Sequence, residues 1–459
     1  MMRPNESDTR SEDTIDPCLR YAARPGCDCL TSAFARREFA PPWQGCRAVA
    51  DDDVEAMLKC IFDTPRSEPA VAYIHVPYCQ NHCLFCGFFQ NVWRPDASAA
   101  YVDDVAGEIA RLASTPLVVS APIKAVYIGG GTPSALDSAD LARLIAALHR
   151  FLPLASDCEI TVEGRAYGFG LEKAIVALDA GANRISIGVQ SFETKIRKSL
   201  GRKLGGEEVR AFLADLVALD RAAIVCDLIY GLPGQDEAVW RADIETATTL
   251  GLDGLSLYAL NVWRGGPLFK AIESEKIPAA STLAIQARAY ATAIEMLAAG
   301  GWRHISQAHF VRSTRECNRY NLNVKNGATC LAFGPGAGGQ ANGYRWRNII
   351  DIPRRRALLA QGQLPIEGLA QLPPLHRARN AITAGLEDGE LDLERVDTVA
   401  PGFLDAAAPL IANWVLAGLG ELNACRFRTT SAGAFWMTTL NSGLNAVLDR
   451  LISPMPIGA

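Results

Sequence analysis

Residues 70–265 alternate between two hydrophobic patterns. Short β-branched runs predict six strands, at 72–76, 125–128, 159–163, 184–188, 224–229 and 254–257. Between them, apolar residues recur at helical spacing and predict helices at 101–112, 138–150, 171–180, 206–219 and 237–250. Because alternating strands and helices form parallel sheets with right-handed crossovers, this segment predicts an α/β fold, an incomplete (β/α)6 barrel.

The pattern changes after residue 265. A long helix is predicted at 280–299, followed by a glycine-rich stretch and by helices near 353–361, 374–386 and 403–419 and from Asn441 onward. We therefore predict three segments: an N-terminal extension over 1–68, the partial barrel over 69–265, and a mainly helical C-terminal accessory domain over 266–459.

Charge and hydropathy narrow the class of function. The 459 residues include 45 basic and 50 acidic side chains, for a net charge of −5, which gives no reason to expect a nucleic-acid partner. The longest apolar stretch, 406–420, is interrupted by Asn413 and is shorter than the roughly 18 residues of a membrane-spanning helix. Without a recognisable secretory signal, we expect a cytoplasmic enzyme with reduced cysteines and no membrane span.

Three cysteines follow the first predicted strand at the spacing C-x3-C-x2-C: Cys79, Cys83 and Cys86. Thiolates select iron–sulfur clusters, zinc or copper(I). A structural zinc site needs a fourth ligand, for which only His82 inside the loop is at hand, and a disulfide is rare in the cytosol. A four-iron cluster normally takes four thiolates, so three would leave one iron open to a ligand that is not protein. We favour the cluster because the glycine-rich and polar motifs that follow the later strands agree with it.

Glycines and polar residues follow the later strands. The loop 129–134, Gly-Gly-Gly-Thr-Pro-Ser, comes directly after the second strand, and glycines allow close approach of the backbone. Four polar residues lie at or near the ends of later strands: Glu163, Gln190, Arg202 and Asp227. Barrel active sites form at the carboxyl ends of the strands, so these residues predict one site beside the cysteines. A structural network of buried charges is the alternative interpretation.

These motifs together resemble the HemN-like radical S-adenosylmethionine (SAM) family over roughly residues 70–345, and more weakly beyond. The resemblance implies that the three cysteines, as catalytic metal ligands, bind a [4Fe-4S] cluster. The open iron would chelate SAM, and the reduced cluster would cleave SAM to release a 5′-deoxyadenosyl radical.

The resemblance also assigns cofactor-binding roles. It implies that Phe85 packs on the adenine side of SAM, that Ile229 contacts the adenine, and that Tyr73 touches SAM near the cluster. It implies that Gly130, Gly131 and Thr132 contact SAM, either one molecule of it or both of two bound molecules. Polar groups of the SAM molecules would be held by Glu163, Gln190, Arg202 and Asp227.

Within this family, the chain is most similar to the anaerobic haem-degrading methyltransferases of the HutW/ChuW kind. The run Cys86-Gly-Phe-Phe-Gln-Asn91 and the extended N-terminal lead-in carry that similarity. It implies a haem substrate, opening of the porphyrin ring with release of iron and a linear tetrapyrrole, and an electron donor such as flavodoxin. A HemW-like haem carrier and an oxygen-independent coproporphyrinogen III dehydrogenase are the alternatives; the latter has a cysteine where Phe88 stands.

Three features leave alternatives open. His304 and His309 are either hydrogen-bonded residues or ligands of haem iron. The lead-in cysteines are either ordinary thiols or a second metal or substrate contact; they are Cys18, Cys27, Cys29, Cys46 and Cys60. Residues 420–437 read as two short strands followed by a helix, which resembles the winged-helix-like end of HemN relatives. Because no basic recognition helix is present, we expect a lid or scaffold there.

Overall fold

The computed structural model describes residues 20–24, 26–38, 43–66, 68–94 and 96–452. They form two compact units, one over residues 45–373 and one that joins the described parts of 1–44 and 374–459. The two units do not coincide with the segments predicted from the sequence, whose boundaries lie at 68 and 265. The early lead-in is instead hydrogen-bonded within the smaller unit. Ala23 N–H donates to Asn413 Oδ1 at 2.7 Å, and the Trp414 indole donates to the carbonyl of Tyr21 at 2.8 Å.

The larger unit is built on one 13-stranded sheet. The strands of this unit are β1 (Arg47–Ala48), β2 (Ala70–Val76), β3 (Tyr78–Cys79), β4 (Asn91–Val92), β5 (Ile123–Gly130), β6 (Leu154–Gly164), β7 (Arg184–Gln190), β8 (Ala223–Tyr230), β9 (Gly254–Ala259), β10 (Arg303–Ser306), β11 (His309–Val311), β12 (Thr329–Phe333), β13 (Gly338–Ala341), β14 (Tyr344–Asn348) and β15 (Ile366–Gln371). Their order is β1-β15-β14-β13-β12-β2-β5-β6-β7-β8-β9-β11-β10, and β3 pairs separately with β4. The order has two edges, so the barrel is incomplete.

The six predicted strands are confirmed as β2 and β5 to β9, which are parallel neighbours in chain order. β12 runs parallel to β2 on its other side. Six of the seven residues of β2 are buried, as expected for a parallel strand covered on both faces. The predicted α/β fold is therefore confirmed.

Helices connect these strands where the periodicity predicted them. The helices of the larger unit are Val54–Asp63, Ala97–Leu112, Pro116–Val119, Ser138–Phe151, Ala166–Asp179, Thr194–Ser199, Gly206–Ala218, Glu237–Thr249, Pro267–Glu273, Leu283–Ala299, Arg319–Lys325 and Ile352–Ala360, with 3-10 turns at Asp51–Asp53 and Pro133–Ala135. The first turn of Ala166–Asp179 is irregular, since Gly168 and Gly170 have positive φ of 79° and 65°. Regular helix therefore starts near Leu171, as predicted.

Beyond residue 265 the sheet continues, which the helical pattern did not predict. β10 and β11 extend it antiparallel to β9, and β13, β14 and β15 extend it antiparallel beyond β12. β1, from the lead-in, pairs antiparallel with β15 at the edge. These strands are short, and β13 begins with two glycines, so they lack a readable strand period.

The predicted helical character is strongest in the smaller unit. Its helices are His376–Glu387, Leu393–Val399, Phe403–Leu416, Ser431–Phe435 and Met437–Ile452. The sheet of this unit has the order β16-β18-β17, formed by β16 (Glu390–Asp392), β17 (Gly420–Asn423) and β18 (Arg426–Thr429). β17 and β18 are the two short strands predicted in 420–437. Among the described residues, no helix combines the length and apolar character that crossing a membrane requires.

Candidate active site

The cysteine loop follows β2 at its carboxyl end, and hydrogen bonds fix its backbone. Cys79 lies in β3, while the N–H of Cys86 donates to the carbonyl of Cys83 at 3.0 Å and closes a turn. The N–H of Leu84 donates to the carbonyl of Leu200 at 3.1 Å. Cys79 and Cys83 are buried and Cys86 is half-buried, so one ordered loop presents three thiols.

Cys79 is the most strongly supported of the three thiols. The Thr132 hydroxyl and the Arg165 guanidinium each donate to its Sγ at 3.3 Å. Burial raises the pKa of the Cys79 thiol, and the Arg165 charge and the Thr132 hydrogen bond oppose that rise. Both donors favour a thiolate at this position, which is the form that binds a metal.

The other two thiols receive weaker donors. The side-chain amide of Asn81 lies 3.9 Å from Cys83 Sγ, and the backbone N–H of Phe88 lies 3.4 Å from Cys86 Sγ. The His82 ring stacks on Phe89 with ring centroids 4.3 Å apart, so this histidine has a structural contact of its own.

This donor set fits a four-iron cluster. Three thiols share one loop, and across the described residues no three Cys, His, Asp or Glu side chains converge on a single metal-ion position. Convergence on one point is not required here, because each thiolate of a four-iron cluster binds a different iron. Phe88 supplies no fourth thiol, so the donor set leaves one iron for a ligand from outside the protein.

The glycine loop after β5 packs against the cysteine loop without room for a side chain. The N–H of Gly131 donates to the carbonyl of Val76 at 2.8 Å. A Cβ on Gly131 would lie 2.6 Å from the carbonyl oxygen of Tyr78 and 3.1 Å from Cys79 Sγ. Gly130 has a φ of 114°, which favours glycine, and its N–H donates to Glu163 Oε2 at 3.2 Å.

Glu163 and Asp227 form an electrostatically coupled pair of carboxyl groups. Burial, followed by the charge of Asp227, raises the pKa of Glu163 to about 7. Burial also raises the pKa of Asp227 to about 6, against the Ser256 hydrogen bond and the charges of Arg184 and Arg202. Two half-buried carboxyls with raised pKa values are suited to bind a ligand that carries a positive charge or several hydroxyl groups.

Arg202 and Gln190 lie beside a bulge in β7. Arg202 donates to the carbonyl of Gly188 at 2.9 Å and lies 5.6 Å from the ring centroid of Phe85. Its Nε is buried and has no hydrogen-bond partner among the described residues. Gln190 has a φ of 77°, rare for a residue with a side chain, and a Cβ on Gly188 would lie 2.9 Å from its amide nitrogen.

A narrow basic pocket adjoins Arg202. Arg165, Arg197 and Lys203 also line it. Arg197 is held by the carbonyls of Val189 and Ser191 at 2.6 and 3.0 Å, so it fixes the bulge. The orphaned Nε of Arg202 and the excess of positive charge suit a bound carboxylate.

Phe85 and Ile229 share an apolar cluster that also includes Leu200 and Leu268. The Tyr73 hydroxyl lies 3.0 Å from His75 Nδ1. His75 Nε2 is buried without a hydrogen-bond partner in the described structure, and burial lowers the pKa of His75 to about 4. Direct contacts thus join Cys79 to Thr132, Gly130 to Glu163, and Arg202 to Phe85.

The sequence interpretation missed Arg165, although its signal was available. It follows β6 directly, and the rule that barrel sites form at strand ends would have selected it with Glu163.

The open alternative for His309 is resolved as a structural role: Nδ1 lies 3.0 Å from Ser256 Oγ, and Nε2 lies 3.0 Å from Glu316 Oε1. Both ring nitrogens are engaged. His304 stacks on Phe310, with centroids 4.8 Å apart. Of the lead-in cysteines, Cys18 lies outside the described residues.

Comparison with known proteins decides the family. The Radical SAM superfamily model matches residues 73–247. Anaerobilin synthase from Escherichia coli O157:H7 is 42% identical over 423 residues, which cover 92% of this chain and 94% of that protein. The chain belongs to the anaerobilin synthase family. The HemN-like radical SAM assignment made from the motifs is thereby confirmed.

The chain is also similar, at lower identity, to a haem chaperone and to a solved structure. The haem chaperone HemW of Mycobacterium tuberculosis (strain ATCC 25618 / H37Rv) is 29% identical over 78% of this chain and 93% of its own length. The structure of coproporphyrinogen III oxidase (HemN) from Escherichia coli superposes with a TM-score of 0.74 at 21% identity, covering 89% of this chain and 96% of that chain. This second likeness shows the fold. This chain thus has the fold of the coproporphyrinogen III oxidase structure.

Proposed function

We propose that this protein opens the porphyrin ring of haem without oxygen, as a radical SAM methyltransferase, and releases iron and a linear tetrapyrrole. The observation that carries the proposal is the 42% identity to anaerobilin synthase across 92% of this chain. Phe88, in place of a fourth cysteine two positions after Cys86, supports it against decarboxylation of coproporphyrinogen.

The three thiols of the cysteine loop would hold a [4Fe-4S] cluster. When bound, the cluster supplies the electron that starts radical cleavage of SAM. Thr132 and Arg165 stabilise the Cys79 thiolate through their 3.3 Å contacts, and Gly131 keeps the loop close enough for them to do so. Burial of Cys79 and Cys83 keeps water away from these two cluster ligands.

The remaining site residues would bind SAM. Arg202 and the basic pocket around it would pair with the carboxylate of SAM, and the half-buried Glu163 and Asp227 with its charged or hydroxyl groups. The apolar cluster that includes Phe85 and Ile229 would take the adenine. The same interpretation assigns Tyr73, Gly130, Gly131, Thr132 and Gln190 to SAM contacts.

Exposed aromatic side chains beside the cysteine loop would contact the haem face. Phe88 and Trp263 are 73% and 53% exposed. A Cβ on Gly87 would lie 3.6 Å from Trp263 Nε1, so Trp263 adjoins the same loop. A planar apolar macrocycle matches aromatic side chains placed this close to the thiols.

Further parts of the proposal concern cofactors and setting. The proposed reaction uses two SAM molecules, one as radical source and one as methyl source. An electron donor such as flavodoxin would reduce the cluster. We place the protein in the cytoplasm, with the chain divided functionally into an extension, a partial barrel and a C-terminal accessory domain.

The decisive experiment is anaerobic turnover. Reconstituted protein, SAM carrying a labelled methyl carbon, haem and a low-potential reductant should lose the haem absorbance, release iron and form a ring-opened product that carries the label. Cys83→Ala should abolish this turnover. Cys226→Ala is the matched control, since Cys226 is another fully buried cysteine that lies in strand β8.

Haem that binds tightly but survives intact, with SAM cleaved only at background rate, would instead favour a carrier such as HemW. Decarboxylation of coproporphyrinogen by the same preparation would show that the family is right and the proposed reaction is wrong.

A further inference from the structure

Arg165 reaches from the end of β6 to the cysteine loop. One terminal nitrogen of its guanidinium donates to Cys79 Sγ at 3.3 Å. The other terminal nitrogen lies 3.2 Å from the carbonyl oxygen of Asn81 and 3.4 Å from its side-chain oxygen. These contacts hold a permanent positive charge against a cluster ligand.

Both ends of this contact are held in place. The backbone N–H of Arg165 donates to Ser134 Oγ at 3.2 Å, and the Asn81 side chain donates to the carbonyl of Gly201 at 2.7 Å. A Cβ on Gly168 would lie 2.6 Å from the side-chain oxygen of Gln80, so the loop after β6 packs directly against the cysteine loop. The guanidinium is therefore fixed by two loops.

We propose that Arg165 raises the reduction potential of the cluster by acting on the Cys79 thiolate. One-electron reduction adds a negative charge to the cluster and its thiolates. A fixed cation at 3.3 Å from one of those sulfurs favours the reduced form more than the oxidised form. Hydrogen bonds to the sulfurs and local charge are established determinants of such potentials.

Arg165 differs in this respect from the other polar groups around the thiols. Thr132 donates to the same sulfur at 3.3 Å, but its hydroxyl is neutral and stabilises added charge less. Arg202 is buried with an orphaned Nε, which leaves it available to a ligand. Arg165 acts through a cluster ligand and is in that sense a positioning residue. The inference rests on the proposed function only in requiring a cluster on the three thiols.

The test is a potentiometric titration of the reconstituted protein, followed by electron paramagnetic resonance, without SAM or haem. Arg165→Met and Arg165→Gln remove the charge and should shift the midpoint to a more negative potential. We expect at least a tenfold lower ratio of reduced to oxidised cluster at a fixed potential, which is about 59 mV for one electron. Arg165→Lys keeps a charge and should fall between these variants and the unmodified protein.

Arg221→Met is the matched control, because Arg221 precedes β8 at the opposite end of the strands and pairs with Asp179 at 2.7 Å. Its midpoint should not move. Unchanged potentials in Arg165→Met and Arg165→Gln with full cluster content would overturn the proposal. Loss of the cluster in all three Arg165 variants would also overturn it, by showing that the residue only holds the loop. Failure of haem turnover by the unmodified protein is a separate result, since this titration contains no haem.

Discussion

The backbone N–H of Gly130 donates to Glu163 Oε2 at 3.2 Å. This hydrogen bond joins the loop after β5 to the carboxylate near the end of β6. The same loop reaches the cysteines, since Thr132 Oγ1 lies 3.3 Å from Cys79 Sγ. Features that follow three separate strands are thus coupled through neighbouring backbone and side-chain atoms. A change at Glu163 therefore acts on the ligand site and on the glycine loop together.

Glu163→Gln should separate ligand binding from stability. The pKa of Glu163 in the folded protein is about 7, above the usual 4.5, so the folded state binds more protons than the unfolded state between these values. Stability of the protein without SAM therefore falls as pH rises from about 4.5 to 7. Glu163→Gln lacks this loss of stability, so at pH 8 it should be more stable than the unmodified protein by on the order of 1 kcal/mol. Its SAM cleavage should be weakened more than about tenfold.

Thermal unfolding at pH 5 and pH 8, together with SAM cleavage, measures both effects. Glu207→Gln is the control, because the Glu207 side chain is 86% exposed. A variant that is less stable than the unmodified protein at pH 8, yet cleaves SAM normally, would support the alternative of a structural charge network.

Gly131→Ala should displace the cysteine loop. The new Cβ would lie 2.6 Å from the Tyr78 carbonyl oxygen, a backbone atom that cannot rotate away, and 3.1 Å from Cys79 Sγ. We expect a loss of about 1–3 kcal/mol in stability from overpacking and a lower iron content per protein. Gly107→Ala is the control, because a Cβ there would meet no atom within 4 Å apart from its chain neighbours and its own helix backbone. Normal iron and sulfide content in Gly131→Ala would contradict the close approach of the two loops.

The sequence could group the candidate residues because most of them lie near the carboxyl ends of parallel strands, which meet at one edge of the sheet. The missed strands β10 to β15 are short, and their pairing depends on partners distant in sequence, such as Thr329 with Ala70. His309 shows the same limit. Its partners Ser256 and Glu316 come from different parts of the chain, so no local pattern distinguishes a hydrogen-bonded histidine from an iron ligand.

Phe88→Ala should weaken haem binding while the cluster is retained. The side chain is 73% exposed, but the contact of residue 88 with Cys86 Sγ uses the backbone N–H and survives the substitution. Loss of one aromatic contact with a planar ligand should reduce haem affinity about tenfold, or about 1.4 kcal/mol. Haem titration, iron content and SAM cleavage measure the three quantities separately.

Leu416→Ala provides the control for Phe88→Ala, because Leu416 is 90% exposed and belongs to the smaller unit. Unaltered haem affinity in Phe88→Ala would remove Phe88 from the proposed haem contact.

Glu316→Gln should destabilise the barrel far more than an exposed substitution. Glu316 accepts from Arg184 Nε at 2.9 Å and lies 3.0 Å from His309 Nε2, with its side chain fully buried. Burial alone would raise the pKa of Glu316, but the Arg184 charge and the His309 hydrogen bond hold it at about 2. The variant removes the ion-pair partner of the buried Arg184, which keeps only the charges of Glu159 and Asp227, and breaking such a buried pair costs about 3–5 kcal/mol.

The pH dependence follows from that lowered pKa. The stabilisation by Glu316 is fully present above about pH 4.5 and is lost as pH falls toward 2. The unmodified protein should therefore lose stability over this pH range. Glu316→Gln should not show the part of this decrease that comes from protonation of Glu316. Denaturant unfolding at pH 7 and pH 3 measures it, with Asp220→Asn as control, since the Asp220 side chain is 80% exposed in its ion pair with Arg315. The double variant Arg184→Met/Glu316→Leu should recover much of the loss, because apolar replacement removes both buried charges together. Equal stability of Glu316→Gln and the unmodified protein at pH 7 would show that Arg184 is compensated elsewhere.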